Sequence, residues 1–199
     1  MNVLITGSRG YVGNRLCQII NKSYKNKIEI IGLDSNLYQF KKKLEKKIII
    51  KDVRDIRLSD LKNIDSIIHL ASLSNDPLGS LNESLTKDIN HKATTKLAKF
   101  AKKMSVKRFI FVSTQSVYGI SNYKKKTIKE NDKNIRPITQ YSKSKLKAEK
   151  DILKLADNRF CVTILRPSTV HGPSENFRSD IVLNNLSAAA FTKKRIIIN

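Results

Sequence analysis

Apolar residues come along this chain in short, nearly unbroken runs, separated by stretches with helical spacing. NVLIT (2–6) reads as a strand, followed by a glycine-containing turn and a helix from about Tyr11 to Tyr24. IEIIGLD (28–34), KIIIKD (47–52) and SIIHLAS (66–72) read as three further strands. A helix is predicted from about Asn82 to Met104, then a buried strand in KRFIFVSTQ (107–115). Another helix covers roughly Tyr141 to Ala156, and CVTILRP (161–167) closes the series as a strand. Continuous rather than alternating apolar runs indicate strands buried on both faces, and intervening helices make the connections parallel. The predicted class is α/β, a doubly wound parallel sheet whose ligands bind beyond the carboxyl ends of the strands. After Pro173 the pattern loosens to a helix near Ile181–Thr192, and RIIIN reads as the start of a strand with partners past the terminus.

Length and composition narrow this picture. A chain of 199 residues buries one sizeable core, and 40% hydrophobic with 28% charged residues fits a soluble globular protein. No apolar run approaches a membrane span, and a strand that begins by Val3 leaves no room for a signal peptide, so the expected location is cytoplasmic. Cys17 and Cys161 show no metal or redox spacing and are expected as reduced core residues. The net charge of +22 raises a nucleic-acid reading. Lys, Ile and Asn are abundant together, however, which is a global bias. The clusters Lys41–Lys43 with Lys46–Lys47, and Lys124–Lys126, fall in predicted loops without the aromatic residues of a stacking surface. No specific nucleic-acid partner and no membrane partner is expected. His69, His91 and His171 share no ligand spacing, so no metal is expected either.

TGSRGYVG (6–13) lies between the first strand and the first helix. Gly7, Gly10 and Gly13 stand where the backbone bends sharply and where a phosphate must come close. Arg9, Tyr11 and Val12 complete a loop that aims helix N-terminal N–H groups at an anion. Asp34 ends the second strand about 20 residues on, where a carboxylate accepts from ribose hydroxyls and repels a 2′-phosphate. That pattern predicts NAD rather than NADP, although Arg9 is itself a residue that could meet such a phosphate.

YSKSK (141–145) sets Tyr141 and Lys145 four residues apart, but Tyr38 and Lys42 share that spacing, so spacing alone cannot choose. Taken with the rest of the chain, the motifs resemble the extended short-chain dehydrogenase/reductase family, the NAD-dependent nucleotide-sugar epimerases and dehydratases. TGSRGYVG resembles the family's TGxxGxxG; DVRD (52–55) is similar to its motif after the third strand, with Asp52 and Val53 toward adenine. HLAS (69–72) matches the end of the fourth strand, placing Leu70, Ala71 and Ser72 along the cofactor, and Asn90 matches the helix asparagine that orders the active site. STQSVYG (113–119), YSKSK and LRPSTVHGP (165–173) follow in family order, His171 replacing a usual tyrosine.

The resemblance implies a Rossmann domain over 1–173, a substrate lobe of which 174–199 is only the beginning, and a homodimer through the helices carrying Asn90 and Tyr141. It implies Thr114, Tyr141 and Lys145 as catalytic residues, Pro167 beside the cofactor, and Gln115, Thr169, Asn184 and Asn185 at a nucleotide-sugar substrate. Tyrosine is a poor base near its ordinary pKa of about 10, and a lysine one helical turn on would stabilise the phenolate. Dehydratases of the family carry Asp-Glu after the threonine; here Gln115 and Ser116 follow, which disfavours a 4,6-dehydratase. An epimerase or keto-sugar reductase stands first. An NAD-binding regulatory or scaffold protein without turnover, and a basic nucleic-acid-associated protein, remain as alternatives.

Overall fold

In the computed structural model, residues 1–24, 27–37, 43–74, 76–119, 127–132 and 134–197 are described. The strands are β1 (Asn2–Thr6), β2 (Glu29–Asp34), β3 (Lys47–Ile50), β4 (Ser66–His69), β5 (Arg108–Val112) and β6 (Cys161–Leu165). All pair in parallel, in the order β3-β2-β1-β4-β5-β6. The order reverses between β1 and β4, so the cleft opens beyond Thr6 and its register partner His69.

The helices are α1 (Tyr11–Tyr24), α2 (Asp76–Leu81), α3 (Glu83–Lys87), α4 (Thr94–Lys103), α5 (Gln140–Leu153) and α6 (Val182–Lys193). One sheet face carries the larger core, in which Leu4, Ile67, Phe109 and Phe111 pack beneath Leu97, Ala101, Ala148 and Ile152 of α4 and α5. Each such buried Leu, Ile or Phe side chain contributes about 1.5–3 kcal/mol. The opposite face is covered by α1, whose Cys17 and Ile20 pack on Val3, Ile5 and Ile30.

The predicted helix over 82–104 is real but interrupted. Between α3 and α4 the turn widens into a π segment, Asp88–Ala93, with Asn90 buried at its centre. Such π segments inside helices frequently mark functional sites. The short α2 before it was not foreseen, although Asp76-Pro77 is a helix-starting pair. β6 alternates, with Cys161, Thr163 and Leu165 exposed, because α1 does not reach that side of the edge strand. The expectation that both cysteines are core residues is therefore corrected: Cys17 is buried, its thiol pushed up to about 12 by burial, whereas Cys161 is exposed. Residues 195–197 form no strand. Among the described residues no helix is long and apolar enough to cross a membrane. Tyr38 and Lys42, together with Lys41 and Lys124–Lys126, lie outside the described residues.

Candidate active site at the switch point

The glycine loop forms the floor of the cleft. Gly7 has φ +71°, and a Cβ there would stand 2.9 Å from the Ala71 nitrogen, so the loop and the HLAS turn touch main chain to main chain. A Cβ on Gly13 would lie 2.0 Å from the Gly7 carbonyl oxygen, which brings the start of α1 tight against the turn. The first-turn N–H groups of α1, from Tyr11 and Val12 onward, have no intrahelical acceptor and carry the positive end of the helix dipole. These are the features a pyrophosphate needs.

Asp34 stands beside this loop, its carboxylate accepting from the Arg9 N–H (3.0 Å) and the Asn36 N–H (2.7 Å). The Arg9 guanidinium donates to Asn36 Oδ1 (2.8 Å) and lies 3.7 Å from buried Glu45. Its charge is thus directed at a carboxylate of this chain, which agrees with NAD over NADP. Asp52 caps the 3-10 turn Val53–Asp55 and pairs in two-pronged fashion with Arg54, which holds its carboxyl below the usual range. The Val53 side chain belongs to the core.

A hydrogen-bonded chain behind the cleft sets the β4 turn. The Thr94 hydroxyl donates to the Asn90 carbonyl, so His69 Nε2–H donates to Thr94 Oγ1 (2.8 Å) and Nδ1 accepts from Thr6 (2.6 Å). Thr6 Oγ1 in turn accepts from the N–H groups of Leu70 and Ala71. His69 is fully buried and stacked on Phe111, and burial, with Lys145 nearby, pulls its imidazole down to about 3. Asn90 pins Leu73 from the other side, accepting from its N–H and donating to its carbonyl. The Ser72 hydroxyl donates to the Leu73 carbonyl as well.

The α5 pair lies across the sheet. Thr139 caps α5 by accepting from the Ser142 N–H, so the helix begins at Gln140 and carries Tyr141 in its first turn. Lys145 is buried; its Nζ donates to the Val112 carbonyl at the end of β5 (2.9 Å) and sits 4.7 Å from the Phe111 ring and 6.0 Å from the Tyr141 ring. Burial pulls its amine down to about 7. Lys143, Lys147 and Lys150 are exposed, so on this helix it is Lys145 that faces inward. Thr114, two residues past Val112, accepts from the Ser116 N–H and donates to Ser116 Oγ, with Gln115 exposed beside it. The Gln115 N–H bonds the Pro167 carbonyl, joining this turn to the segment after β6.

From Gly172 to Asn184 the chain straps back over the glycine loop. Tyr11 Oη donates to the Gly172 carbonyl, Ser174 Oγ to the Tyr11 carbonyl, and Asn176 Nδ2 to the Arg9 carbonyl. Asn184 accepts from the Gly172 N–H and donates to Tyr11 Oη and the Arg178 carbonyl, so its carboxamide is engaged within the chain. Thr169 and Asn185 are exposed; Asn185 donates to the Ser179 carbonyl. Sequence reasoning missed this strap, the Thr6–His69–Thr94 chain, and a buried Glu149–Arg166 pair. Only the last had a visible signal, an acid one turn past Lys145 on an otherwise inward face. Among the described residues no cluster of His, Cys, Asp or Glu could hold a metal.

The sequence profile of the NAD dependent epimerase/dehydratase family matches residues 3–198. The chain is 34% identical over 188 residues to UDP-glucose 4-epimerase of Vibrio cholerae, covering 89% of this chain and 55% of that protein. It is 29% identical over 188 residues to human dTDP-D-glucose 4,6-dehydratase, covering 87% of this chain and 52% of that protein. Among solved structures, UDP-glucuronic acid 4-epimerase from Bacillus cereus in complex with NAD superposes with a TM-score of 0.80 at 25% identity, covering 98% of this chain and 64% of that one. The chain thus spans about half the length of the curated relatives it matches.

Proposed function

Since the chain belongs to the NAD dependent epimerase/dehydratase family, we propose that it serves as the NAD-binding part of a nucleotide-sugar epimerase or keto-sugar reductase. The observation that carries this reading is the burial of Lys145 between the Tyr141 ring and the end of β5, the strand that leads into Thr114. Bound NAD supplies a reversible hydride acceptor. Tyr141 takes the proton of a sugar hydroxyl, and the Lys145 charge stabilises the phenolate this creates. Thr114 holds the reacting oxygen in line. Tyr141 would give the proton back to the oxygen when the transient ketone is reduced on its other face, which yields the epimer. The relatives include both epimerases and dehydratases, so the choice rests on Gln115 and Ser116, which offer no acid or base for eliminating water. The domain split near Pro173 is also proposed: the segment beyond it is the first part of a substrate lobe, and Gln115 and Thr169 of the Rossmann domain with Asn184 and Asn185 of the lobe face the sugar nucleotide.

A homodimer through the outer faces of α4 and α5 is part of the same reading. A cavity of about 360 Å³ lies on that face, lined by His91, Thr95, Phe100 and Asp151, with His91 Nε2 2.7 Å from Asp151. The test is incubation of the full-length NAD-loaded protein with UDP- and dTDP-hexoses, followed by NMR of the sugar and absorbance of NADH, with sedimentation of the same preparation. An epimer formed without net NADH, from a dimer that Tyr141→Phe silences by about 10²-fold or more, is expected. NADH accumulating with no epimer would sink the epimerase. No turnover with NAD still bound would favour a binding protein without catalysis.

A further inference from the structure

Glu149 is 1% exposed and lies one helical turn beyond Lys145 on the same face of α5. A carboxylate so placed is strongly disfavoured unless opposed and hydrogen-bonded. Here it is both. Arg166 donates from Nε and Nη2 to its two oxygens, with Nη2–Oε2 at 2.6 Å, and Ser113 Oγ donates to Oε1. Arg166 is itself anchored: Nη1 donates to the Glu130 carbonyl (3.1 Å) and the guanidinium lies 5.0 Å from the Tyr118 ring. These contacts, the Glu149 hydrogen bonds foremost, push Arg166 still further above its ordinary value.

The cluster is continuous with the catalytic pair. Ser113, which holds Glu149, directly follows Val112, whose carbonyl holds Lys145. The titratable groups around Lys145 are therefore Tyr141 and Glu149 from α5 and His69 from β4, the last neutral, with the Phe111 ring between the strands. Around Glu149 they are Lys145, Arg166 from the end of β6, and Tyr118 behind Arg166. Within this set Glu149 is the one anion.

We propose that Glu149 is a positioning residue of the hydride-transfer site, holding Lys145 in its ammonium form inside the core while Arg166 and Ser113 fix the carboxylate in place. Burial alone drives the Lys145 amine toward neutrality, and Glu149 is the group that opposes it. A neutral amine keeps its bond to Val112 but offers a phenolate no charge. The ion pair with Arg166 would satisfy Glu149 at many places in the core; its location one turn from Lys145 is what gives it this second role. The inference rests on the reading of Lys145 as the partner of Tyr141, yet its test reads the charge itself.

In the full chain labelled with ¹³Cε-lysine, the Lys145 signal, assigned by Lys145→Arg, is followed from pH 5 to 11. Glu149→Gln is expected to lower its midpoint by about one unit or more, a tenfold loss of proton affinity. Because that variant strands Arg166, Glu149→Gln/Arg166→Met is measured beside it, and the drop should persist there. Glu149→Asp should restore most of it. A folded double variant whose Lys145 midpoint is unchanged would overturn the proposal and leave Glu149 a structural partner. A second reading needs no substitution: the Glu149 carboxyl carbon must shift at the Lys145 midpoint, and a carboxyl that stays flat through that titration overturns the proposal equally. Failure of sugar turnover alongside coupled midpoints would count against the proposed function and leave this inference standing.

Discussion

At the glycine loop the cleft is shaped by main chain and hydroxyl groups: Gly7 against Ala71, Gly13 against Gly7, and Thr6 accepting two N–H groups. At the α5 end the same cleft is shaped by buried charge, with Lys145, Glu149 and Arg166 within one network. The first region is shaped by what is missing, since a Cβ at Gly7 or Gly13 would run into neighbouring main chain. The second acts by what is present and costly, because each charge must be opposed by another. Perturbing the first should therefore be steric and independent of pH; perturbing the second should change with pH.

The sharpest separation comes from Gly13→Ala. Its Cβ would meet the Gly7 oxygen at 2.0 Å, so the turn or the first turn of α1 must shift. A loss of about 3 kcal/mol in unfolding free energy is expected, with NAD affinity lost together with it, at every pH where the wild type is folded. Gly10→Ala is the control, because its Cβ would meet only the Gly7 oxygen, at 3.3 Å. That variant should fold and still bind NAD less tightly in calorimetry. Equal stability losses in the two variants would break the distinction between a packing glycine and a ligand-facing one.

His69 lies between the two regions and tests where one gives way to the other. Its imidazole is held down to about 3 against an ordinary 6.5, chiefly by burial. The unfolded chain thus takes up a proton that the native chain refuses, and stability falls as pH drops from 6.5 to about 3. Lys145 has the same sign at higher pH: its native value near 7 lies below the ordinary 10.5, so stability rises across that window. Urea midpoints against pH should show both slopes in the wild type. His69→Asn should flatten the acidic slope and Lys145→Met the alkaline one. An acidic slope unchanged by His69→Asn would mean that carboxylates alone set it.

Much of this was legible in the sequence, and the reason differs from place to place. NVLIT and CVTIL look alike as apolar runs, and both are strands. Yet β1 is central and buried while β6 is the exposed edge, because burial depends on which helix lies over a strand, and α1 does not reach β6. The glycine loop was readable since its chemistry is local: spacing, strand before, helix after. The α5 pair needed the ordered motifs around it, Tyr38 and Lys42 having the same spacing. Glu149 showed only as an acid one turn past Lys145; its pairing with Arg166, like that of His69 with Thr94, was hidden because the partners lie 17 and 25 residues away in sequence. Asn184 shows the same limit. A motif match pointed to a substrate contact there, but the bonds its carboxamide makes to Gly172, Tyr11 and Arg178 could not be read from spacing.

That strap yields the smallest and most specific effect. Asn184 and Asn176 tie the segment after β6 to the carbonyl and phenol groups of the glycine loop, without lining the sheet core. Replacing the buried Asn184 amide with alanine removes three bonds worth about 1 kcal/mol each, a loss that water entering the strap partly offsets. Asn184→Ala is thus expected to lower stability only slightly, by about 1–2 kcal/mol, while NAD dissociation speeds up several-fold. Stopped-flow release of NAD from the loaded protein measures this directly. Because the tie involves no ionisable carboxylate or amine, the acceleration should be the same at pH 6 and pH 9. A pH-dependent acceleration would show the glycine-loop end to be coupled to the α5 charges after all, and the two halves of the cleft would have to be treated as one electrostatic unit.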